Sequence, residues 1–339
     1  MKLNYIDRID CLEGLKEIPD GSVDLVLTDP PYGTMQNMGK SGAARAAGYA
    51  DMSWDKALDP SLLFNAIRRV LRPNGKAVIF SQEPYTSQLI SGAVPELPFC
   101  YRAIWKKDHF ANKFMCKKAM VNYYEDVCVF QKNDDDELVH PLRGYFREVL
   151  HFIGVSSVKE INNALGHRKA EHSFYVTNGK RAVKEALGGA ADHVQRIGSS
   201  QFSLCTEATY QQLVNVFHID KMQGFREYED LQAENSRFKS TFNLWQGGKV
   251  KPNVLEYRKD RPSLHSAQKP VALIEDLVQT YSNPGDVVLD PFMGSGTTAV
   301  ACLKTDRNYI GFELDERYHA IALQRIADTE AQLQQEAEQ

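Results

Sequence analysis

The sequence predicts a mixed α/β fold: a mainly parallel sheet interrupted by a helical insertion. Three observations carry that expectation. Short apolar runs rich in Val, Ile and Leu alternate with helical patterns toward both ends of the chain. Two of those runs end on unusual turns, Asp29-Pro30-Pro31-Tyr32-Gly33 and Asp290-Pro291-Phe292-Met293-Gly294-Ser295-Gly296-Thr297-Thr298. Between them, from 142 to 250, strand signals nearly vanish and helical patterns joined by polar loops take over.

In order along the chain, Val23 to Thr28 reads as a strand that stops at Asp29-Pro30. Pro60 to Leu71 is helical, with Leu62, Leu63, Ile67, Val70 and Leu71 on one face, and it ends at the breaker Arg72-Pro73-Asn74-Gly75. Lys76 to Phe80 reads as a strand, Pro84 to Ile90 as a short helix, and Cys100 to Trp105 and Asp126 to Gln131 as further strands. In the insertion, Val158 to Leu165, Ala182 to Leu187, Glu207 to Phe217 and Phe225 to Phe238 read as helices. Alternation resumes with a helix over Val271 to Tyr281, a strand over Val287 to Leu289, a helix from Thr297 to Leu303, a strand from Tyr309 to Phe312 and a helix from Glu316 to Ala331. Gln332 to Gln339 reads as a polar, fraying tail. The expected division is 1–141, 142–250 and 251–339, with the first and last segments forming one domain.

The 339 residues carry 43% hydrophobic and 25% charged side chains, enough for one large α/β domain plus an insertion, or for two domains. No run approaches the roughly 18 apolar residues of a membrane span. The start, Met1-Lys2-Leu3-Asn4-Tyr5, lacks the apolar core of a signal peptide. Six cysteines without a CxxC pair argue for a reducing compartment, hence the cytoplasm, and against structural zinc; no metal site is expected. The net charge of −4 does not advertise nucleic-acid binding, but basic residues gather between Arg102 and Lys118 and again between Arg237 and Lys269. Such stretches fit a polyanion groove and fit a solvated surface equally well.

Gly294-Ser295-Gly296-Thr297-Thr298-Ala299 has G-x-G-x-x-A spacing between a strand and a helix, where glycines permit a tight turn and close approach of a ligand to backbone. Glu313 ends the next strand, where its carboxylate can accept from both hydroxyls of a ribose. No Lys follows the glycines, which argues against a Walker phosphate loop. A dehydrogenase site and a plain strand-to-helix turn both fit such a loop. A dehydrogenase, however, continues with several βα units, and here one strand and one helix follow Glu313. The rest of the sheet must come from residues 1–141, so the order is permuted, with the cofactor half last.

Pro30 and Pro31 fix φ and restrict the residues before them, so Asp29 is held extended at a strand end. The turn offers a carboxylate, proline carbonyls that accept, and the flat ring of Tyr32. An exocyclic amine of a nucleobase needs such acceptors. Its lone pair is conjugated into the ring, and hydrogen bonds from its two N–H groups to Asp29 and the Pro30 carbonyl favour a tetrahedral, nucleophilic nitrogen. A strand-terminating turn with an aromatic stop is the structural alternative.

With both turns quoted, the chain resembles the S-adenosylmethionine-dependent amino-methyltransferases of DNA in which the target motif comes first and the cofactor motif last, the β group. Asp29-Pro30-Pro31-Tyr32 is similar to the family's target motif, and Asp290 to Thr298 to its cofactor motif. Asp10-Cys11-Leu12, Ser22-Val23-Asp24, Glu83-Pro84-Tyr85, Trp105-Lys106-Lys107 and His265-Ser266-Ala267-Gln268-Lys269-Pro270 add to the resemblance, which covers about 1–135 and 250–328. In the insertion, Phe202-Ser203-Leu204, Tyr210, Leu213 and Tyr228 to Leu231 are more loosely similar to phage and prophage members.

The resemblance implies a Rossmann-like methyltransferase sheet with S-adenosyl-L-methionine as cofactor. Asp290, Phe292, Gly294, Ser295, Gly296 and Thr297 would line its pocket, Glu313 would hold its ribose, and Asp10 and Cys11 its adenine. Lys269 would meet its methionine carboxylate; starting a helix ahead of Pro270 is the alternative. Asp29, Pro30, Pro31 and Tyr32 would be catalytic. One departure is His265-Ser266, where the family has His-Pro.

Double-stranded DNA is the implied partner, with the target nucleotide flipped from the duplex. Members often form dimers, and nothing in the sequence indicates a restriction partner. Thr34 to Ala50 reads as a lid or a plain surface loop, and Ser157 to Leu165, followed by Gly166-His167-Arg168-Lys169, as a short helix-turn-helix or a solvated face. Because Asp heads the target motif more often in adenine enzymes, N6 of adenine is the expected target. N4 of cytosine, a DNA-binding module without catalysis and a nicotinamide dehydrogenase are the alternatives.

Overall fold

The computed structural model describes residues 1–34, 55–111, 116–117, 119–133, 140–154, 204–238, 240–244, 250–261 and 267–338. It divides into two compact units, Met1–Asn133 with Ser240–Gln339, and Asp134–Lys239. The loop read as a lid beyond Thr34, the helix-turn-helix around Ser157 to Lys169, the helix read at Ala182 to Leu187 and His265-Ser266 lie outside the described residues.

The first unit holds β1 (Tyr5–Asp7), α1 (Cys11–Lys16), β2 (Val23–Thr28), α2 (Pro60–Val70), β3 (Leu71–Ser81), α3 (Tyr85–Ser91), β4 (Phe99–Ala111) and β5 (Asn122–Gln131). Its second stretch contributes β6 (Val254–Glu256), α7 (Val271–Tyr281), β7 (Val287–Asp290), α8 (Thr297–Lys304), β8 (Asn308–Phe312) and α9 (Glu316–Ala337). The second unit contains α4 (Leu142–Ile153), α5 (Glu207–Phe217) and α6 (Tyr228–Phe238).

All eight strands form one sheet in the order β1-β8-β7-β2-β3-β5-β4-β6. The late strands β7 and β8 slot between the early strands β1 and β2, all parallel. The two ends of the chain therefore build one sheet, as the permuted order requires. β5 alone runs antiparallel, to both β3 and β4, and the other neighbouring pairs are parallel, so the sheet is mainly parallel as expected.

Alternation sends Leu25 and Leu27 of β2 to one core and Val26 to the other, and the irregularity between Val23 and Leu25 puts Val23 with Val26. Leu25 and Leu27 pack with Val78, Phe80 and Val127 beneath Leu273, Ile274 and Leu277 of α7, Ala299 and Cys302 of α8 and Ala322 of α9. Val23 and Val26 pack with Ile79, Phe130 and Ile310 beneath Leu15 of α1, Leu63, Phe64 and Ile67 of α2 and Leu89 of α3. Helices thus cover both faces. Asp24 is the charged residue of β2: one carboxylate oxygen accepts from Arg72 Nε at 2.7 Å and the other from the Val287 amide at 2.8 Å, tying β2 to both neighbouring strands.

The local signals work where capping chemistry is strong. Asp59 caps α2 by accepting from the Ser61 amide at 2.9 Å, Pro60 opens the helix, and Leu63, Phe64, Ile67 and Val70 make the buried stripe. The segment Arg72-Pro73-Asn74-Gly75, read as a breaker, instead lies inside β3 as an irregularity: Val23 pairs with Leu71 but Leu25 with Lys76. Asn74 takes φ 58, and a Cβ on Gly75 would meet the Arg72 and Asp24 carbonyls at 2.9 and 3.1 Å. The expected frayed tail is also corrected. α9 continues to Ala337, with Gln324–Asp328 and Gln332–Glu336 pairs at i, i+4 on its exposed face.

The second unit has its own core of Leu142, Tyr145, Phe146, Val149, Tyr210, Leu213, Ile219 and Leu231. The Tyr145 and Tyr210 hydroxyls are hydrogen-bonded, and the Tyr210 hydroxyl donates to the Arg226 carbonyl, so both buried rings are satisfied. Thr241 and Asn243, placed in the insertion by the sequence reading, belong to the first unit, where Asn243 donates to the Gln279 and Ser282 carbonyls.

Candidate active site

Sheet order brings the two turns together. β2 and β7 are neighbours in register, Leu25 with Val288 and Val26 with Leu289, so Asp29 and Asp290 leave the sheet side by side. Thr28 stitches them by donating its hydroxyl to Asp290 Oδ1 at 2.6 Å. β1 and β8 are likewise in register, and the Glu313 amide donates to the Asp7 carbonyl at 3.1 Å. The Asp10 corner and Glu313 therefore also meet.

Asp290 is 4% exposed. Its other oxygen accepts from the Thr298 hydroxyl at 2.6 Å, and the Phe292 amide donates to Oδ1 at 3.1 Å. Burial pushes its pKa up to about 6, while the Thr28 and Thr298 hydroxyls pull the other way. The loop beyond it turns at Gly294, φ 56, whose amide donates to Glu313 Oε2 at 2.7 Å. Glu313 Oε1 accepts from the Asp315 amide at 2.8 Å, which fixes the carboxylate's orientation and leaves lone pairs for a further donor on each oxygen.

Gly296 has φ 81, and a Cβ there would lie 2.9 Å from Ala322 Cβ. Its place in the motif is set by the close approach of α9. Arg325 of α9 braces the loop, donating to the Ser295 carbonyl at 2.6 Å and to the Ser295 and Thr297 hydroxyls at 3.1 Å.

At the first turn, the Tyr32 hydroxyl donates to Asp29 Oδ1 and stands 3.5 Å from Glu125 Oε2. The Tyr32 ring lies near Tyr85, centroids 6.1 Å apart and 28° from parallel. Gly33, at φ 74, ends the turn and donates its amide to buried Asp55 at 2.9 Å.

The Lys269 ammonium is buried between two carboxylates, bonded to Asp29 Oδ2 and 3.0 Å from Glu125 Oε2. It lies over the Phe80 and Tyr32 rings at 5.1 and 5.9 Å. Glu125 Oε1 in turn holds the Lys107 ammonium. Two carboxylates and two ammonium groups balance in charge, as a buried cluster must. Burial raises the Asp29 pKa and Glu125 adds to the rise, while Lys269 opposes both. Burial alone would also raise Glu125, but Lys269 and Lys107 hold it below the usual carboxylate range.

One cavity of about 760 Å³ connects these groups. Asp10, Cys11, Asp29, Pro30, Pro31, Tyr32, Lys269, Asp290, Phe292, Gly294, Ser295, Thr297 and Glu313 line it; Gly296 does not. Asp10 caps α1, accepting from the Leu12 amide at 2.9 Å, and burial pushes the Cys11 thiol up to about 12, so it stays neutral. Sequence reasoning missed Glu125, Thr28, Asp55 and Arg325, and gave Lys107 and Thr298 no role beyond their place in the motifs. The available signal for Glu125 was an acid directly ahead of the apolar run that begins at Asp126.

A parallel core with a carboxylate–proline–aromatic turn and a glycine turn opening on one cavity defines a class: enzymes that hold a nucleotide-like cofactor beside a flat polar base. The DNA methylase profile of the N6/N4 family matches residues 23–324, and the chain belongs to that family, whose cofactor is S-adenosylmethionine. It is similar to the DNA adenine methyltransferase YhdJ of Escherichia coli K12, 26% identical over 322 residues, which are 94% of this chain and 80% of that protein. It is 42% identical to the methylase YubD of the same organism over 86 residues, 25% of this chain and 38% of that protein. Among solved structures it resembles the cytosine-N4-specific PvuII DNA methyltransferase at a TM-score of 0.51 and 15% identity, covering 95% of this chain and 84% of that one, a likeness of fold. Among the described residues no helix is long and apolar enough to cross a membrane.

Proposed function

We propose that the chain methylates the N6 amine of adenine in double-stranded DNA, with the target nucleotide flipped into the Asp29 end of the cavity. The observation that carries this reading is the Asp29 carboxylate, set by Pro30 and Pro31 at the end of β2 and joined through one cavity to Glu313 and Gly294. The Asp at the head of the turn and the similarity to an enzyme named for adenine both favour N6 over cytosine N4.

The residues present fit the family's cofactor. The Glu313 carboxylate, held by the Gly294 and Asp315 amides, suits a ribose diol. Asp10 and Cys11, which follow β1, line the same cavity as Glu313, which follows its neighbour β8, and suit the adenine, with Phe292 as an apolar wall. When bound, S-adenosylmethionine supplies an electrophilic methyl group. The chain's own groups act on the target. Asp29 and the Pro30 carbonyl accept from the two N–H groups of the amine, making its lone pair available, and Tyr32 stacks on the base. Ionised, Asp29 is the stronger acceptor. The insertion, with its basic residues, would read the DNA sequence.

The test is expression in bacteria lacking DNA methyltransferases, followed by single-molecule sequencing of their DNA. Modified adenines in a recurring short motif are expected. Modified cytosines would overturn the choice of base, and unmodified DNA would count against the whole reading.

A further inference from the structure

Both donors that occupy Asp29 also face a single atom of Glu125. The Tyr32 hydroxyl donates to Asp29 Oδ1 and lies 3.5 Å from Glu125 Oε2; the Lys269 ammonium is bonded to Asp29 Oδ2 and lies 3.0 Å from the same Oε2. Glu125 is itself fixed from behind, its Oε1 bonded to Lys107, which is 8% exposed and packs 5.2 Å from the Trp105 ring centre. With both oxygens of Asp29 engaged, an incoming amine must displace the bonds of a buried ammonium and a half-buried phenol, and those donors then need another acceptor.

The geometry points to Glu125 as a positioning residue: its Oε2 is the acceptor to which Lys269 and Tyr32 hand over their hydrogen bonds when the target amine takes Asp29. Lys107 holds Glu125 in place for that exchange. No proton changes owner, and the cluster stays neutral throughout, with Asp29 and Glu125 charged against Lys107 and Lys269. Burial disfavours ionised carboxylates; Lys269 and Lys107 hold Glu125 below the usual carboxylate range, and Lys269 opposes the rise at Asp29. The inference rests on the proposed function, since the exchange has meaning only when an amine binds at Asp29.

The pH dependence of the exchange follows from the groups around Asp29. Lys269 faces it from the segment before α7, Glu125 from β5 with Lys107 of β4 behind it, Tyr32 from its own turn and Asp290 from β7. Lys259, on the segment after β6, adds positive charge near Lys107, Lys269 and Glu125. Removing the Glu125 charge therefore makes Asp29 easier to ionise.

The experiment compares the wild-type protein with Glu125→Gln and with the charge-balanced double variant Glu125→Gln/Lys107→Met. The substrate is unmethylated bacterial genomic DNA; kcat and KM are measured against pH, and affinity for S-adenosylhomocysteine is measured by calorimetry. Both variants are expected to lose on the order of a hundredfold in kcat, with the inhibitor's Kd within about threefold of wild type. The acid limb of the kcat profile of Glu125→Gln moves to lower pH, a shift that a merely structural role would not produce. Glu125→Asp, which keeps the charge, recovers part of the rate. Wild-type kcat in the double variant would show that Glu125 serves only to neutralise Lys107, and would overturn the inference. Wild-type kcat in Glu125→Gln would overturn it too, and in both cases the active parent leaves the proposed function standing. An inactive parent would overturn both.

Discussion

Lys269 and Asp29, 240 residues apart in the chain, meet as an ion pair in the cavity that joins the two motifs. The sequence resemblance assigned Lys269 to the methionine end of the cofactor. In the structure its ammonium is engaged by the target-end carboxylates Asp29 and Glu125. The distinction is measurable. In Lys269→Met, kcat is expected to fall on the order of a hundredfold while the Kd for S-adenosylhomocysteine stays within about threefold. Because Lys269 lowers the Asp29 pKa, its loss raises it, and the acid limb of the rate profile moves to higher pH. A collapse of cofactor affinity with an unmoved acid limb would return Lys269 to the methionine carboxylate.

Asp29→Ala removes the acceptor on which the amine depends. Transfer to DNA should become undetectable, while cofactor affinity, carried by Glu313 and the glycine turn, remains largely intact. Calorimetry alongside a radiolabel transfer assay separates the two. Retained transfer would show that the amine is activated elsewhere.

Asp290 is a stability probe with a defined sign. Its folded pKa is about 6, raised above the ordinary 3.8 by burial, so the folded state holds a proton more tightly than the unfolded state. Its contribution to stability is fully present below about pH 4 and is lost as pH rises through about 6, by up to ~3 kcal/mol. Asp290→Asn has no such titration. Thermal unfolding from pH 4 to 7 should show the stability gap between wild type and variant changing across that window and flat above it; a gap independent of pH would contradict the assignment.

Gly296 is needed for its backbone. Alanine there must adopt φ 81 with its Cβ 2.9 Å from Ala322 Cβ, inside the packing of α9 on the loop. Gly296→Ala should cost about 1–3 kcal/mol in chemical denaturation and weaken cofactor binding through the displaced Ser295–Arg325 brace. Unchanged stability would mean that α9 yields more easily than its packing indicates.

The sequence was most legible where chemistry is local. Pro30-Pro31, the Gly294 turn and the Asp59-Pro60 helix start act on their own neighbours, so their conformations follow from residue type. The permuted order of motifs also read correctly, because too few strands follow Glu313 to complete a sheet. What could not be read depends on pairing at long range. Glu125 reaches the site only because β5 turns antiparallel against β3, with Asp126 opposite Ser81. Arg72-Pro73-Asn74-Gly75 has breaker chemistry, yet the Asp24–Arg72 bond and the pairing of Leu71 with Val23 hold it within the sheet. Gly296 carries a binding signature, but its contact with Ala322 exists only once α9 is docked.

The most direct test of the account is a transfer assay with the purified chain, unmethylated double-stranded DNA and isotope-labelled S-adenosylmethionine, followed by digestion to nucleosides and mass spectrometry. Label in N6-methyladenosine of the deoxy series, absent with Asp29→Ala, is the predicted result. Label in N4-methylcytosine, or no transfer by a protein that binds the cofactor, would contradict it.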